Sequence, residues 1–240
     1  MQKDPRYEQW IRDIGTTYYA CAGARNLSQP RELVDCVHAI GGNFVDSGRK
    51  HLDPNPVEAW AKAEHLPLLH LEHPDLQHDI PFPSRPWGSG SLFVSLHTGY
   101  VGLSQDMDYT DSPTVIEAIA AGQLALAKKL YTCFQPAFAC IDIHGKHLPT
   151  EHQIRNQALP TILWANFFGP EYVAHYGKEY LLAAPGWYTE VLEDGGVLYV
   201  ISPRFLQREA VVSMRQIITY FRRIAPRVKA YRAKPFPGTY

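Results

Sequence analysis

Histidine and carboxylate are the side chains in this sequence best suited to chemistry. The run His70-Leu71-Glu72-His73-Pro74-Asp75-Leu76-Gln77-His78-Asp79 sets three histidines and three acids within ten residues, and His144 and His147 follow Asp142 closely. Imidazole and carboxylate together suit zinc, iron or manganese, so this stretch raises a metal-dependent hydrolase using residues 70–78. No H-E-x-x-H or H-x-H-x-D-H spacing places such ligands on a fixed frame, however, and His73 opens a loop rich in Pro, Ser and Gly. The pattern therefore predicts solvated loop histidines, with no metal and no cofactor.

Nucleophilic chemistry has less support. Ser89 in Gly88-Ser89-Gly90 precedes a strand, whereas a nucleophile elbow needs G-x-S-x-G between a strand and a helix. There is no P-loop and no G-x-G-x-x-G, which leaves nucleotide binding without a foothold. The segment from Ser104 to Glu117 is more informative. It places Asp106, Asp108 and Asp111 around Met107 and Tyr109, just before a long helix. Acids there fit the positive end of the helix dipole. As a binding loop, Met and Tyr would supply buried area while the acids attract a basic partner. The same logic reaches Glu190 and Glu193 at a hairpin tip.

Composition is that of an ordinary soluble globular chain of 240 residues, with no apolar run long enough to span a bilayer. The start, MQKDPRYEQW, lacks an apolar signal core, and a cytosolic protein is expected. Cys21, Cys36, Cys133 and Cys140 show no C-x-x-C spacing and read as buried reduced thiols. The formal net charge of −1 hides an asymmetry. Residues 204–240 carry nine basic side chains and one acid, a surplus of eight, so residues 1–203 carry −9. A basic terminal segment over an acidic body permits nucleic-acid binding, but the expectation is that its arginines fold back onto acidic neighbours.

These residues must be positioned by a scaffold that is largely legible. Strands are predicted at Thr16–Gly23, Leu68–Leu71, Ser91–His97 with Tyr100–Leu103, Ala137–Ile143 and Thr161–Phe168, from β-branched, aromatic and alternating patterns. A helix is predicted from Asp4 to Ile14, another from Ser28-Pro30 to Ile40, a third over Val57–His65, and the longest from Ser112-Pro113 to about Phe134. That long helix turns Ile116, Ile119, Ala120, Ala127 and Leu130 inward, with Gln123 interrupting the stripe. Thr150–Asn156 reads as a weak helix. Pro170 opens a short helix that Gly177 ends. Trp187–Glu193 and Val197–Ser202 flank Asp194-Gly195-Gly196, a hairpin turn. A closing helix carries Val211, Met214, Ile217, Ile218, Phe221 and Ile224 on one face. The aromatic residues Trp164, Phe167, Phe168, Tyr172, Tyr176, Tyr180, Trp187 and Tyr188 read as core. The sum is an α+β fold, one domain over 1–240 with possible halves at 1–150 and 151–240. Its sheet is mixed or mainly antiparallel, with amphipathic helices covering one side.

The residues Trp164, Asn166, Phe168, Gly169 and Pro170, then Leu181 to Pro185, then Gly195 and Gly196 in the turn, form a wider pattern. It resembles the immunity proteins of bacterial polymorphic toxin and type VI secretion systems, especially the family called immunity protein fifty-two. The match is most specific over residues 160–224. The resemblance implies a cytosolic antidote that performs no catalysis and covers a cognate protein toxin; the candidate contacts are those read above from the residues themselves, Asp106, Met107, Asp108, Tyr109, Asp111, Glu190 and Glu193. No membrane partner is expected from the apolar runs, and nucleic acid on the basic terminal segment is the less favoured alternative.

Overall fold

The computed structural model describes residues 13–19, 30–45, 69–73, 91–97, 100–106, 113–143 and 148–230. The predicted helix over 57–65, Cys21, and most of the segment 73–90 lie outside them. The strands are β1 (Asp13–Tyr19), β2 (Asn43–Val45), β3 (Leu69–Glu72), β4 (Ser91–His97), β5 (Tyr100–Asp106), β6 (Phe138–Ile143), β7 (Thr161–Ile162), β8 (Ala165–Phe168), β9 (Tyr188–Val191), β10 (Val197–Val200) and β11 (Lys229–Ala230). The helices are α1 (Pro30–Ala39), α2 (Pro113–Phe134), α3 (Glu151–Arg155), α4 (Pro170–Tyr176), α5 (Lys178–Leu182) and α6 (Met214–Phe221). Nine strands form one sheet in the order β2-β3-β4-β5-β1-β6-β8-β10-β9, antiparallel at every step, while β7 and β11 pair in parallel apart from it. This is an α+β architecture. Asp13 and Ile14, expected at the end of a helix, begin β1 instead.

Over the second half of the chain, helices cover both faces of the sheet, which corrects the one-sided expectation. Ala139 and Ile141 of β6, Ala165 and Phe167 of β8, and Leu198 and Val200 of β10 pack with α1 and α2. Their alternates Phe138, Cys140, Phe168, Val197 and Tyr199 pack with residues of α3 to α6. Strands buried on both faces read as unbroken apolar runs, and β8 and β10 are buried at every position. Long α2 lays Ile116, Ile119, Leu126, Leu130 and Phe134 against the first of these faces. Gln123 does not break the stripe, because it is buried with it. The helix stops at Gln135, which takes a φ of 45° just ahead of Pro136.

The closing helix is shorter than its apolar pattern. Ser213 caps α6 by accepting from Gln216 N, and the Gln216 side chain accepts from Ser213 N in return. Val211 therefore precedes the helix and stands exposed rather than joining its buried face.

The expected strand over 161–168 is divided at Leu163 and Trp164. The Asn166 amide accepts from Leu163 N at 3.0 Å and donates to Leu163 O at 2.8 Å, while Asp142 accepts from Trp164 N at 3.0 Å. Side chains thus satisfy backbone groups that a continuous ladder would otherwise need, and the chain can leave the small sheet for the large one. Asp142 also receives both terminal nitrogens of Arg208, at 2.8 and 2.6 Å, with both side chains almost fully buried. The guanidinium lies 4.8 Å from the Phe205 ring centre, and Phe205 meets Trp164 edge-on at 5.3 Å. Glu117 on α2 accepts from Phe205 N and Leu206 N, and Trp164 Nε1 donates to Ser202 O. The irregular connection between β10 and α6 is thereby tied to β6, to the β7–β8 break and to α2.

Candidate interaction surface

β9 is the terminal strand of the nine, and among the described residues no strand pairs outside it. Its outer position leaves Trp187 47%, Tyr188 38% and Val191 42% exposed. This corrects the reading of Trp187 and Tyr188 as core, and it leaves Tyr176 and Tyr180 half-buried; Trp164, Phe167, Phe168 and Tyr172 are buried as expected. The strand is nevertheless firmly held. Trp187 N donates to Val200 O at 3.1 Å, and Thr189 Oγ1 donates to Leu182 O at 3.2 Å. Gly186 lies so close to the Tyr199 ring that a Cβ there would meet it at 2.7 Å.

Glu190 sits on the α2 side of this edge. Lys128 Nζ reaches Glu190 Oε2 at 2.5 Å, and Tyr188 OH donates to the same oxygen at 2.9 Å. Lys128 also lies 5.7 Å from the Tyr188 ring centre. Burial draws the Glu190 carboxyl upward, but the Lys128 and Tyr188 hydrogen bonds with the Lys128 charge outweigh it, and the net shift is downward. The hydrogen bond to Glu190, with burial behind it, holds the Tyr188 phenol above its usual value.

The hairpin tip is locked by Asp194, whose Oδ1 accepts from Gly196 N at 2.8 Å and whose Oδ2 accepts from Tyr131 OH at 3.0 Å. Gly195 takes a φ of 86°, which the turn requires. A small cavity of about 150 Å³ lies here, lined by Tyr131, Thr132, Gln135, Glu193 and Asp194. Glu193 is exposed at its mouth.

The other acidic candidates are elsewhere. Asp106 ends β5, five strand spacings from β9, and at roughly 4.8 Å per spacing this is about 24 Å away. Met107, Asp108, Tyr109 and Asp111 lie outside the described residues. No protein-family model matches this chain, and neither does any curated protein. The Pseudomonas aeruginosa T6SS protein PA0821 is similar in structure at a TM-score of 0.46 and 10% identity, over 100% of this chain and 80% of that one. Likeness at that level assigns no activity.

The residues quoted for the immunity-protein resemblance lie mostly in the interior. Trp164, Asn166, Phe168, Gly169 and Gly196 are buried, and Pro170 opens α4 at its first position. A Cβ on Gly169 would meet Pro136 O at 2.5 Å and Ala137 O at 2.6 Å, and one on Gly196 would meet the Tyr131 hydroxyl at 2.5 Å. The pattern therefore describes how the sheet is closed.

Of the histidines, His73 is buried with its Nε2 2.9 Å from Ile40 O, a structural position rather than the solvated one expected. His78, His144, His147 and Ser89 lie outside the described residues. Among the described residues no group of three or more His, Cys, Asp or Glu side chains is arranged to hold a metal, and no helix is long and apolar enough to cross a membrane. Cys36 and Cys140 are buried thiols and Cys133 a partly buried one, none of them in a disulfide among the described residues. Sequence reasoning found Glu190 and Glu193 but missed Trp187, Tyr188 and Val191. The available signal was the contrast between polar Thr189 and Glu190 in one arm of the hairpin and the wholly apolar Val197–Val200 in the other.

Proposed function

We propose that this protein acts by binding a partner protein along β9, and that the partner is a bacterial toxin which it neutralises without catalysis, as the resemblance over residues 160–224 implies. The observation supporting this reading is the exposed Tyr188 and Val191 of β9, with exposed Trp187 immediately before it, on a strand fixed to a close-packed sheet. Aromatic and aliphatic anchors on a stiff frame lose little conformational freedom when covered, which favours tight association. Exposed Glu193 would steer a basic partner toward the hairpin tip, and Glu190, paired with Lys128, would be a further contact there. Asp106, Asp108 and Asp111, with Met107 and Tyr109, form a second acidic contact in the proposal, separate from β9.

Co-expression tests it, with the toxic domain of the secreted protein encoded in the neighbouring reading frame. The unaltered chain is expected to protect the host and to co-purify with that domain. The double variant Trp187→Ala/Val191→Asp is expected to lose both properties while keeping the parental circular dichroism. Full protection by that variant overturns β9 as the contact. A neighbouring product that neither harms the cell nor binds overturns the toxin. Changing Asp106, Asp108 and Asp111 to Lys tests the second contact in the same assay.

A further inference from the structure

A shallow groove of about 260 Å³ lies against α6, on the side of the sheet opposite α2, lined by Pro185, Arg215, Gln216, Thr219, Tyr220 and Arg223. Its floor is preformed. Tyr220 OH donates to Tyr180 O at 2.7 Å, Tyr180 OH donates to Tyr220 O at 2.6 Å, and the two rings lie 4.4 Å apart, which fixes the Tyr220 ring as a wall. Pro185 is held from the other side, since its carbonyl accepts from Tyr199 OH at 2.7 Å.

The rim is cationic and unspent. Arg215 is the second residue of α6, and Arg223 follows its last turn about 12 Å along the helix axis at 1.5 Å per residue, with Arg222 beside the groove in sequence but not lining it. All three are exposed, and none forms an ion pair or hydrogen bond through its side chain among the described residues. The expectation that the terminal arginines fold onto acids therefore holds for Arg208, while these three meet no acid among the described residues. An apolar floor between unpaired guanidiniums suits a ligand carrying carboxylates on either side of an apolar side chain, because arginine pairs with carboxylate in a planar fork.

We infer that this groove is a second binding site, which takes an acidic peptide segment of a partner protein with an apolar residue seated on Pro185 and Tyr220. Nucleic acid fits less well. The positive surplus belongs to residues 204–240, while residues 1–203 carry −9, so a long polyanion leaving the groove would meet repulsion that a short acidic segment avoids. The inference does not depend on the toxin reading, because the groove and β9 use different residues.

Fluorescence anisotropy on the full chain tests it. One probe is a labelled peptide with a leucine between two short glutamate runs, and the other is a labelled single-stranded DNA of equal charge. The peptide is expected to bind more tightly than the DNA. Arg215→Glu/Arg223→Glu is expected to weaken the peptide about tenfold or more. Thr219→Trp should weaken it comparably by filling the groove with charge unchanged. Thermal melting checks that each variant is folded. Failure of the peptide to bind, equal binding by the Arg215→Glu/Arg223→Glu or Thr219→Trp protein, or tighter binding of DNA overturns the inference.

Discussion

β9 and β10 are the two arms of one hairpin, yet β10 is buried at all four positions whereas β9 is exposed or half-exposed throughout. The difference lies in their neighbours. β10 has β8 on its far side and helices on both faces, while β9 has no described strand beyond it. The ion pairs repeat the contrast. Asp142 and Arg208 meet in the interior with almost no exposure, and Lys128 and Glu190 meet at the edge with roughly a third of each side chain exposed. Interior positions set the fold, and edge positions are available to a partner.

The largest effect should come from the interior pair. Arg208→Ala leaves Asp142 buried without its counter-charge and is expected to destabilise the protein by about 3–5 kcal/mol in urea unfolding. A loss under about 1 kcal/mol would mean the pair is not sequestered and would erase the contrast. Replacing both partners, as Asp142→Leu with Arg208→Met, should cost less than Arg208→Ala yet not be neutral, because Trp164 N loses its acceptor.

Next comes the close approach behind β8. Gly169→Ala drives a methyl into two backbone carbonyls, which cannot rotate aside as a side chain would. A cost of about 1–3 kcal/mol is expected, read as a lower urea midpoint with an unchanged slope. At the edge, Trp187→Ala should change stability by less than about 1 kcal/mol while lowering partner affinity tenfold or more. The reverse result, a large stability loss with unchanged affinity, would make β9 part of the interior.

Glu190→Gln should produce the smallest change, about 0–1 kcal/mol and smaller still in high salt. Its sign with pH is fixed by the direction of the shift. A carboxyl held below the ordinary value of 4.5 contributes stability above that pH and loses it as pH falls through its lower folded value. The gap between parent and variant in urea midpoint is therefore expected at neutral pH and should close on acidification. A gap that widens in acid would refute the Lys128 contact as its source.

Much of this scaffold was legible before any coordinates. Pro113 and the apolar stripe announced α2, Pro170 and Gly177 bracketed α4, and Asp194-Gly195-Gly196 marked the hairpin. The misreadings share a cause. Val211 continues the apolar period of α6, but Ser213 with Gln216 starts the helix after it, a choice made by hydrogen bonds rather than hydrophobicity. Thr161 to Phe168 reads as one strand, and the break depends on Asp142, far back in the chain, satisfying Trp164 N. The candidate surface was half legible: Glu190 and Glu193 stood out as acids at a turn, but the exposure of Trp187 was signalled only by polar Thr189 and Glu190 in the same arm.

The amino-acid order alone therefore determined the element types, the hairpin and most helix limits, because periodicity, caps and turn residues act between neighbours a few positions apart. Tertiary structure decided which described strand ends the sheet, that both faces of β8 and β10 are covered, and that Arg208 is consumed by Asp142 while Arg215 and Arg223 find no acid among the described residues. Burial and charge pairing depend on which distant segments meet, and that is settled only when the strands take their places side by side.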